Sequence, residues 1–446
     1  MSRKRTQKIG ERVTWGGIAL AIMLSTMWLS YTILAAATSS ESPRESPVEA
    51  YISLRATPGS TTAYAIDDEQ QTRYETIATP TEAYGHRFLR SSALDTAARQ
   101  VAHFYAESRR LAPSPVLSDF LNAAGAPYWG VHQTILVTTV TGDEPLQELI
   151  EEAKSNQSST HHFGLAELLV DNQSSLRIIC MLAAKETFTL KPVPRRLNAS
   201  ETYQIEGDLT AEYREPRVLA MGPSGHIHRI EPRIDDDRFE FSFSGEPGIW
   251  VVEIIASGQA GPIPLAQIEL YVEQRTETEG RHRWPNEGDY GGDPAAYMTQ
   301  LINRDRARFG LSPLRRSGRL DRVAQHHSTD MRDHNFVGHY SPRSGMLTDR
   351  LNQARVPRYV AGENVALNQS LADAHIGLLE SLGHRMNILS PHYSEIGVGL
   401  ERGPFGWYVT HVFSGQQEKE EGVEIKQARF DSSRSTSISS RLIERR

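Results

Sequence analysis

The chain has 446 residues, 48 of them basic and 55 acidic, for a formal net charge of -7, and 39% are hydrophobic. That length exceeds one ordinary core and predicts two to four domains in a globular class. Acidic and basic residues are spread along the chain with no basic patch, which disfavours nucleic acid as a partner.

Residues 1–12 carry Arg3, Lys4, Arg5, Lys8 and Arg12, and Val13 to Ala37 then run without a charge. A helix over 13–37 is long enough to span a bilayer, whereas a cleavable signal peptide has an apolar core of about 7 to 15 residues. Trp15, Trp28 and Tyr31 suit an interfacial anchor, so the expectation is a transmembrane helix with the basic end in the cytoplasm and the rest outside. Ala35-Ala36-Ala37 resembles a small-residue cleavage site, and a signal peptide with secretion is the alternative. Residues 38–88, rich in Ser, Thr, Pro and Glu, read as a spacer.

A small α/β domain is expected over 89–185. Leu94, Ala97, Ala98, Val101 and Tyr105 recur at helical steps, a second helix covers Pro115 to Ala123, and strands follow at Thr134 to Val140 and at Gly164 to Ala184, folded back at Asp171-Asn172. Cys180, the only cysteine, lies in the apolar run Leu176 to Ala184. It cannot form an intramolecular disulfide and reads as a buried structural thiol.

Over 186–274 short alternating strands predict an immunoglobulin-like β-sandwich. Phe239, Phe241 and Phe243, then Trp250, Val252 and Ile254 beyond Gly245-Glu-Pro-Gly248, read as a hairpin with one buried face. Asp235-Asp236-Asp237 has no spaced acidic partners and reads as a hairpin loop rather than a calcium site. A polar linker, 275–292, ends at Asp293-Pro294, an N-cap followed by Pro at the first helical position. Over 293–415 helices are expected from Pro294 to Phe309, Leu320 to His334 and Leu371 to Leu382, with strands at Glu395 to Glu401 and Gly406 to Phe413. The charged, Ser-rich tail 416–446 is predicted to be disordered.

The chemistry-bearing side chains concentrate in this last domain. His339, Glu363 and His384 stand in Gly338-His-Tyr-Ser-Pro342, Ala361-Gly-Glu-Asn-Val-Ala366 and Ser381-Leu-Gly-His-Arg-Met-Asn-Ile-Leu389. Imidazole and carboxylate are the groups that bind divalent metals or exchange protons near neutral pH. Each of the three follows a glycine and is expected at an element boundary, which predicts convergence on one cleft. They serve equally as a buried hydrogen-bond network, because buried polar groups must be paired. Ser341 and Ser381 lack a nucleophile elbow, and no HExxH helix is present. His326, His327, His334, His375 and His392 read as exposed or packing residues.

These motifs, with Leu301-Ile-Asn-Arg304, Gly310-Leu-Ser-Pro-Leu314, Ile396-Gly-Val-Gly399 and Trp407-Tyr-Val-Thr-His-Val-Phe413, resemble in order and spacing the bacterial branch of the CAP (SCP-domain) superfamily of cysteine-rich secretory, antigen 5 and pathogenesis-related proteins. The resemblance covers about 294–414 and implies an α-β-α sandwich with an open cleft lined by His and Glu. His339 and Glu363 match the family's first His and its Gly-Glu-Asn carboxylate, and His384 supplies a second imidazole. Where other members carry a second Glu this chain has Ser381, next to Glu380, and where they carry the late His it has Tyr408, with His411 three residues on.

Together with the uncharged run 13–37, the resemblance suggests a membrane-anchored bacterial surface protein whose cleft, lined by His339, Glu363, His384, Tyr408 and His411, binds a small apolar molecule, lipid or cell-envelope component. Zn²⁺ or another divalent ion on His339, His384 and Glu363 is a further expectation. One alternative is a metal-assisted hydrolase of peptide or envelope polymer with Glu363 as general base. Another is an adhesive or scaffolding role. Leu94-Asp95 with Phe163-Gly-Leu165 also parallels Leu320-Asp321 with Ile396-Gly-Val398, so 93–186 reads as a reduced, structural copy of the same domain.

Overall fold

The computed structural model describes residues 63–64, 88–155, 161–169, 176–273, 292–356 and 360–415. The expected membrane segment 13–37, nearly all of the spacer and linker, and the tail lie outside these. Among the described residues no helix is long and apolar enough to cross a membrane.

After β1 (Ala63–Tyr64), the first α/β unit runs β2 (Phe88–Arg90), α1 (Ser92–Ser108), α2 (Ser114–Ala124), β3 (His132–Thr138), α3 (Glu144–Ser155), β4 (His161–Leu169) and β5 (Arg177–Lys185). Ser91 caps α1 by accepting from the Leu94 N–H, and Gly125, at φ 75°, ends α2. The sheet order is β2-β4-β5-β3. Helices α1 and α2 pack on the face bearing Ile178, Cys180, Leu182 and Ala184, while α3 covers Phe163, Leu165, Ile179 and Met181. Helix α3 is absent from the elements read above, although Leu146, Leu149, Ile150 and Ala153 keep helical spacing and are buried. Burial pushes the Cys180 thiol up, as expected of a structural cysteine.

The second unit comprises β6 (Phe188–Leu190), β7 (Val193–Pro194), β8 (Arg196–Leu197), β9 (Tyr203–Leu209), β10 (Arg214–Met221), β11 (Ile227–Ile230), β12 (Arg233–Asp235), β13 (Arg238–Phe243), β14 (Gly248–Gly258) and β15 (Gly261–Val272). Its two sheets are β11-β10-β14-β15-β8 and β12-β13-β9-β6. The hairpin expected between the Phe239 and Trp250 runs is corrected: β13 pairs with β9 and β12, and β14 with β10 and β15. The runs belong to opposite sheets, and their alternation coincides because both line one core between the sheets. Asp236-Asp237 joins β12 to β13, with Asp236 at φ 52°. Strand β1 pairs with β7, so residues 63–64 of the expected spacer are fastened to this part of the chain.

The last unit contains α4 (Pro294–Arg308), β16 (Arg315–Arg316), α5 (Gly318–Asp333), α6 (Leu347–Gln353), β17 (Val360–Asn368), α7 (Leu371–Glu380), α8 (Leu382–Ile388), β18 (Glu395–Gly403) and β19 (Gly406–Gly415). Asp293 accepts from the Ala295 and Ala296 N–H groups at the start of α4. Met298, Ile302, Leu371, Ala374 and Leu378 cover the sheet face of Val409 and Phe413, and α5 covers the opposite face with Leu320, Val323 and Ala324 against Val412. This is an α-β-α sandwich.

Its sheet order, β16-β18-β19-β17, repeats β2-β4-β5-β3 with the same strand senses: the first pair is parallel and the other two antiparallel. The echo seen in sequence has a physical cause. Asp95 Oδ1 accepts the Leu165 N–H at 2.7 Å, and Asp321 Oδ1 accepts the Val398 N–H at 2.9 Å. Arg90 and Arg316 each pair with their aspartate at 3.0 Å. A Cβ on Gly164 would lie 2.1 Å from the Leu94 carbonyl carbon, and one on Gly397 2.1 Å from that of Leu320. Helix backbone meets strand backbone in both units, so Gly397→Ala should destabilise the protein by at least about 2 kcal/mol in urea unfolding.

Candidate functional site

Strand β17 is an edge strand, so groups on either face of the sheet reach round its free side. Glu363 is in the middle of this strand rather than at an element boundary, pairs with Val412, and has a side chain only 3% exposed. His339 lies on the loop after α5 and His384 within α8.

His339 Nδ1 is 3.0 Å from Glu363 Oε1. A carboxylate only accepts, so Nδ1 carries the proton and Nε2 faces away from Glu363, with no hydrogen-bond partner among the described residues. The other carboxylate oxygen, Oε2, accepts from Arg350 Nη2, whose Nη1 donates to the His339 and Gly345 carbonyls at 3.1 and 2.6 Å. Burial by itself would raise the Glu363 pKa, but the His339 hydrogen bond and the Arg350 charge outweigh it and hold the group below the usual carboxylate range. His327, buried and lowered in pKa chiefly by desolvation, donates Nε2–H to the Gly338 carbonyl at 2.8 Å and holds the same loop.

The His384 ring stands 6.3 Å, centroid to centroid, from that of His339. It is half-buried, and desolvation, then the neighbouring His339, pushes its pKa down to about 3, so it is a neutral imidazole at working pH. Asn364 Nδ2 donates to the His384 carbonyl at 3.0 Å and Asn387 Nδ2 to the Glu363 carbonyl at 3.1 Å, which ties α8 to the strand. The three expected residues are thus brought together.

Tyr408 and His411 are placed otherwise. Tyr408 is 1% exposed and packs with Met331 and Val365 further along the sheet. His411 is fully buried, beside Phe413, and burial lowers its pKa to about 3. Strand periodicity puts both inside because β19 is central and covered on both faces. Ser341 accepts from the Arg343 and Ser344 N–H groups and donates to Asp330, a turn-building role, and Ser381 caps α8. His375 is buried and pairs with Asp305 at 2.6 Å. The network partners that sequence reasoning missed are Arg350 and His327. Arg350 has no local signal, and its role depends on α6 meeting β17.

The set His339, Glu363 and His384 does not fit a divalent cation in this arrangement. Both Glu363 oxygens are engaged, and an ion on that carboxylate would face the Arg350 guanidinium. Among the described residues no group of three or more His, Cys, Asp or Glu side chains is placed to hold a metal ion. Addition of Zn²⁺ is expected to leave the melting temperature unchanged; a concentration-dependent rise would restore the metal reading.

An α-β-α sandwich with an imidazole pair and a buried carboxylate at its sheet edge defines the class. Residues 299–416 match the cysteine-rich secretory protein family and are a CAP domain. The uncharacterized protein YkwD of Bacillus subtilis (strain 168) is 34% identical over 120 residues, 27% of this chain and 46% of that protein. The uncharacterized membrane protein YlbC of the same organism is 39% identical over 106 residues, 24% of this chain and 31% of that protein. The chain therefore spans less than half the length of either relative. Among solved structures, an extracellular SCP-domain protein from Bacillus anthracis str. Ames is 20% identical, with a TM-score of 0.26, covering 48% of this chain and 82% of that one. A cysteine-rich secretory protein from Staphylococcus aureus is 15% identical, with a TM-score of 0.24, covering 52% and 83%.

Proposed function

We propose that this chain is a membrane-anchored, extracytoplasmic protein whose CAP domain binds a small apolar, lipid or cell-envelope molecule through a polar group seated between His339 and His384. The observation that carries this reading is the orientation of His339: Glu363 and Arg350 fix the ring so that Nε2 is left for a ligand, 6.3 Å between centroids from the His384 imidazole. The basic residues before the uncharged run 13–37 support the anchor, and the name of YlbC, a membrane protein, agrees with it.

Hydrolysis with Glu363 as general base is the weaker reading, because that carboxylate is doubly hydrogen-bonded and its basicity is lowered by its partners. Mass spectrometry of small molecules extracted from the purified full chain tests the proposal. A retained molecule is expected, lost in His339→Ala and in His384→Ala while the thermal transition persists. Equal retention by both variants would remove the cleft from the account, and turnover of a peptide or envelope polymer abolished in Glu363→Gln would favour the hydrolase.

A further inference from the structure

A turn of the β-sandwich lies on the cleft. The Ala260 carbonyl, between β14 and β15, accepts from both the His339 and Tyr340 N–H groups, at 2.8 and 3.1 Å. A Cβ on Gly338 would come within 2.5 Å of the Ala260 Cβ, and one on Gly261 within 3.1 Å of the His339 Cβ. The other histidine is held from the same hairpin. Gly383, which precedes His384, donates its N–H to Glu253 Oε2 at 2.9 Å, and a Cβ there would lie 3.0 Å from Ile255 Cδ1. Gln267 Nε2 donates to the Glu380 carbonyl at 2.9 Å. One hairpin of another domain therefore touches the backbone on both sides of the cleft, and bare glycines let it approach.

This contact is largely polar. Each hydrophobic cluster of the described residues stays within one of the three units, so the sandwich meets the CAP domain through hydrogen bonds and glycine backbone rather than a shared core. Polar interfaces within a chain permit relative domain motion. The docked state also leaves Glu253 Oε1 buried without a hydrogen-bond partner, a deficit that water removes once the surfaces separate.

We propose that the β-sandwich gates the CAP cleft: docked, its 258–261 turn closes over His339 while Glu253 holds the helix of His384, and a ligand enters when the sandwich undocks. The proposal rests on the cleft being a binding site, but its tests require no ligand, so the two readings fail separately. In the wild-type full chain, hydrogen exchange at the His339 and Tyr340 amides should run at least about a hundredfold faster than at the core amides of β19, because the former open with the interface and the latter only with the domain. Exchange of all of them at one rate would make the hairpin a fixed wall and overturn the gate.

A second test uses Gly338→Ala, whose Cβ would lie 2.5 Å from the Ala260 Cβ and so wedges the turn off the loop. Diethyl pyrocarbonate should then modify His339 and His384 at least about tenfold faster than in the wild type, with the thermal transition retained. Equal modification of the two proteins would show that the docked cleft is already open, and the proposal would fall.

Discussion

Arg350→Leu is expected to destabilise the protein by about 3–5 kcal/mol, because it leaves the Glu363 carboxylate buried with its principal counter-charge removed. Side-chain exposures of 4% for Arg350 and 3% for Glu363 put the pair beyond solvent screening. Urea unfolding of the full chain measures the loss. The double variant Arg350→Leu/Glu363→Gln should recover most of it, since it removes the stranded charge as well as its partner. A loss below about 1 kcal/mol in the single variant would mean that the His339 hydrogen bond holds the carboxylate alone.

Glu253 should impose a pH dependence opposite in sign to that of ordinary surface carboxylates. It is fully buried, and desolvation, offset in part by hydrogen bonds from Gly383, Ser381 and Leu382, raises its pKa from 4.5 to about 7. A raised folded pKa means that the native state holds its proton more tightly than the unfolded chain does. The contribution is therefore fully present below pH 4.5 and is lost as pH rises toward 7. At about 1.4 kcal/mol per pH unit the loss amounts to about 3 kcal/mol. In Glu253→Gln this falling limb should disappear; a wild-type and variant pair with the same slope between pH 4.5 and 7 would assign the pH dependence to other groups.

Much of the scaffold was legible because it is written in local physics. Helix α1 follows from the spacing of Leu94 to Tyr105, α4 from Asp293-Pro294, and the repeated Leu-Asp and apolar-Gly-apolar motifs mark places where a helix backbone presses on a strand. Helix α3 is not among the elements read from sequence, although its four buried apolar positions keep helical spacing, because Glu148, Glu151 and Glu152 stand among them. The β13–β14 connection was misread because alternation reports which face is buried and is silent about which sheet the strand joins.

The repeat shows the same division. In the CAP domain Val412 stands between Gly397 and Glu363, and in the first unit Leu182 stands between Gly164 and Gln133. Gln133 thus occupies the place of Glu363, and it holds Ala112 through hydrogen bonds to that residue's N–H and carbonyl, at 3.0 and 2.6 Å. An amide in place of the carboxylate keeps the loop anchored without an ionisable group. The first unit has no Gly-Glu-Asn sequence to mark this position, so only the strand pairing equates Gln133 with Glu363.

By itself the sequence picked out the candidate residues, since His339, Glu363 and His384 are identifiable from their glycine-flanked motifs, and the resemblance of those motifs to the CAP superfamily implied the fold of the last domain. Tertiary structure alone decided what those residues do to one another. The Arg350 partner, the orientation of the His339 ring, the burial of Tyr408 and His411, and the sandwich turn resting on the cleft are contacts between segments far apart in the chain. Their energies depend on distance and dielectric, and neither is encoded in local spacing.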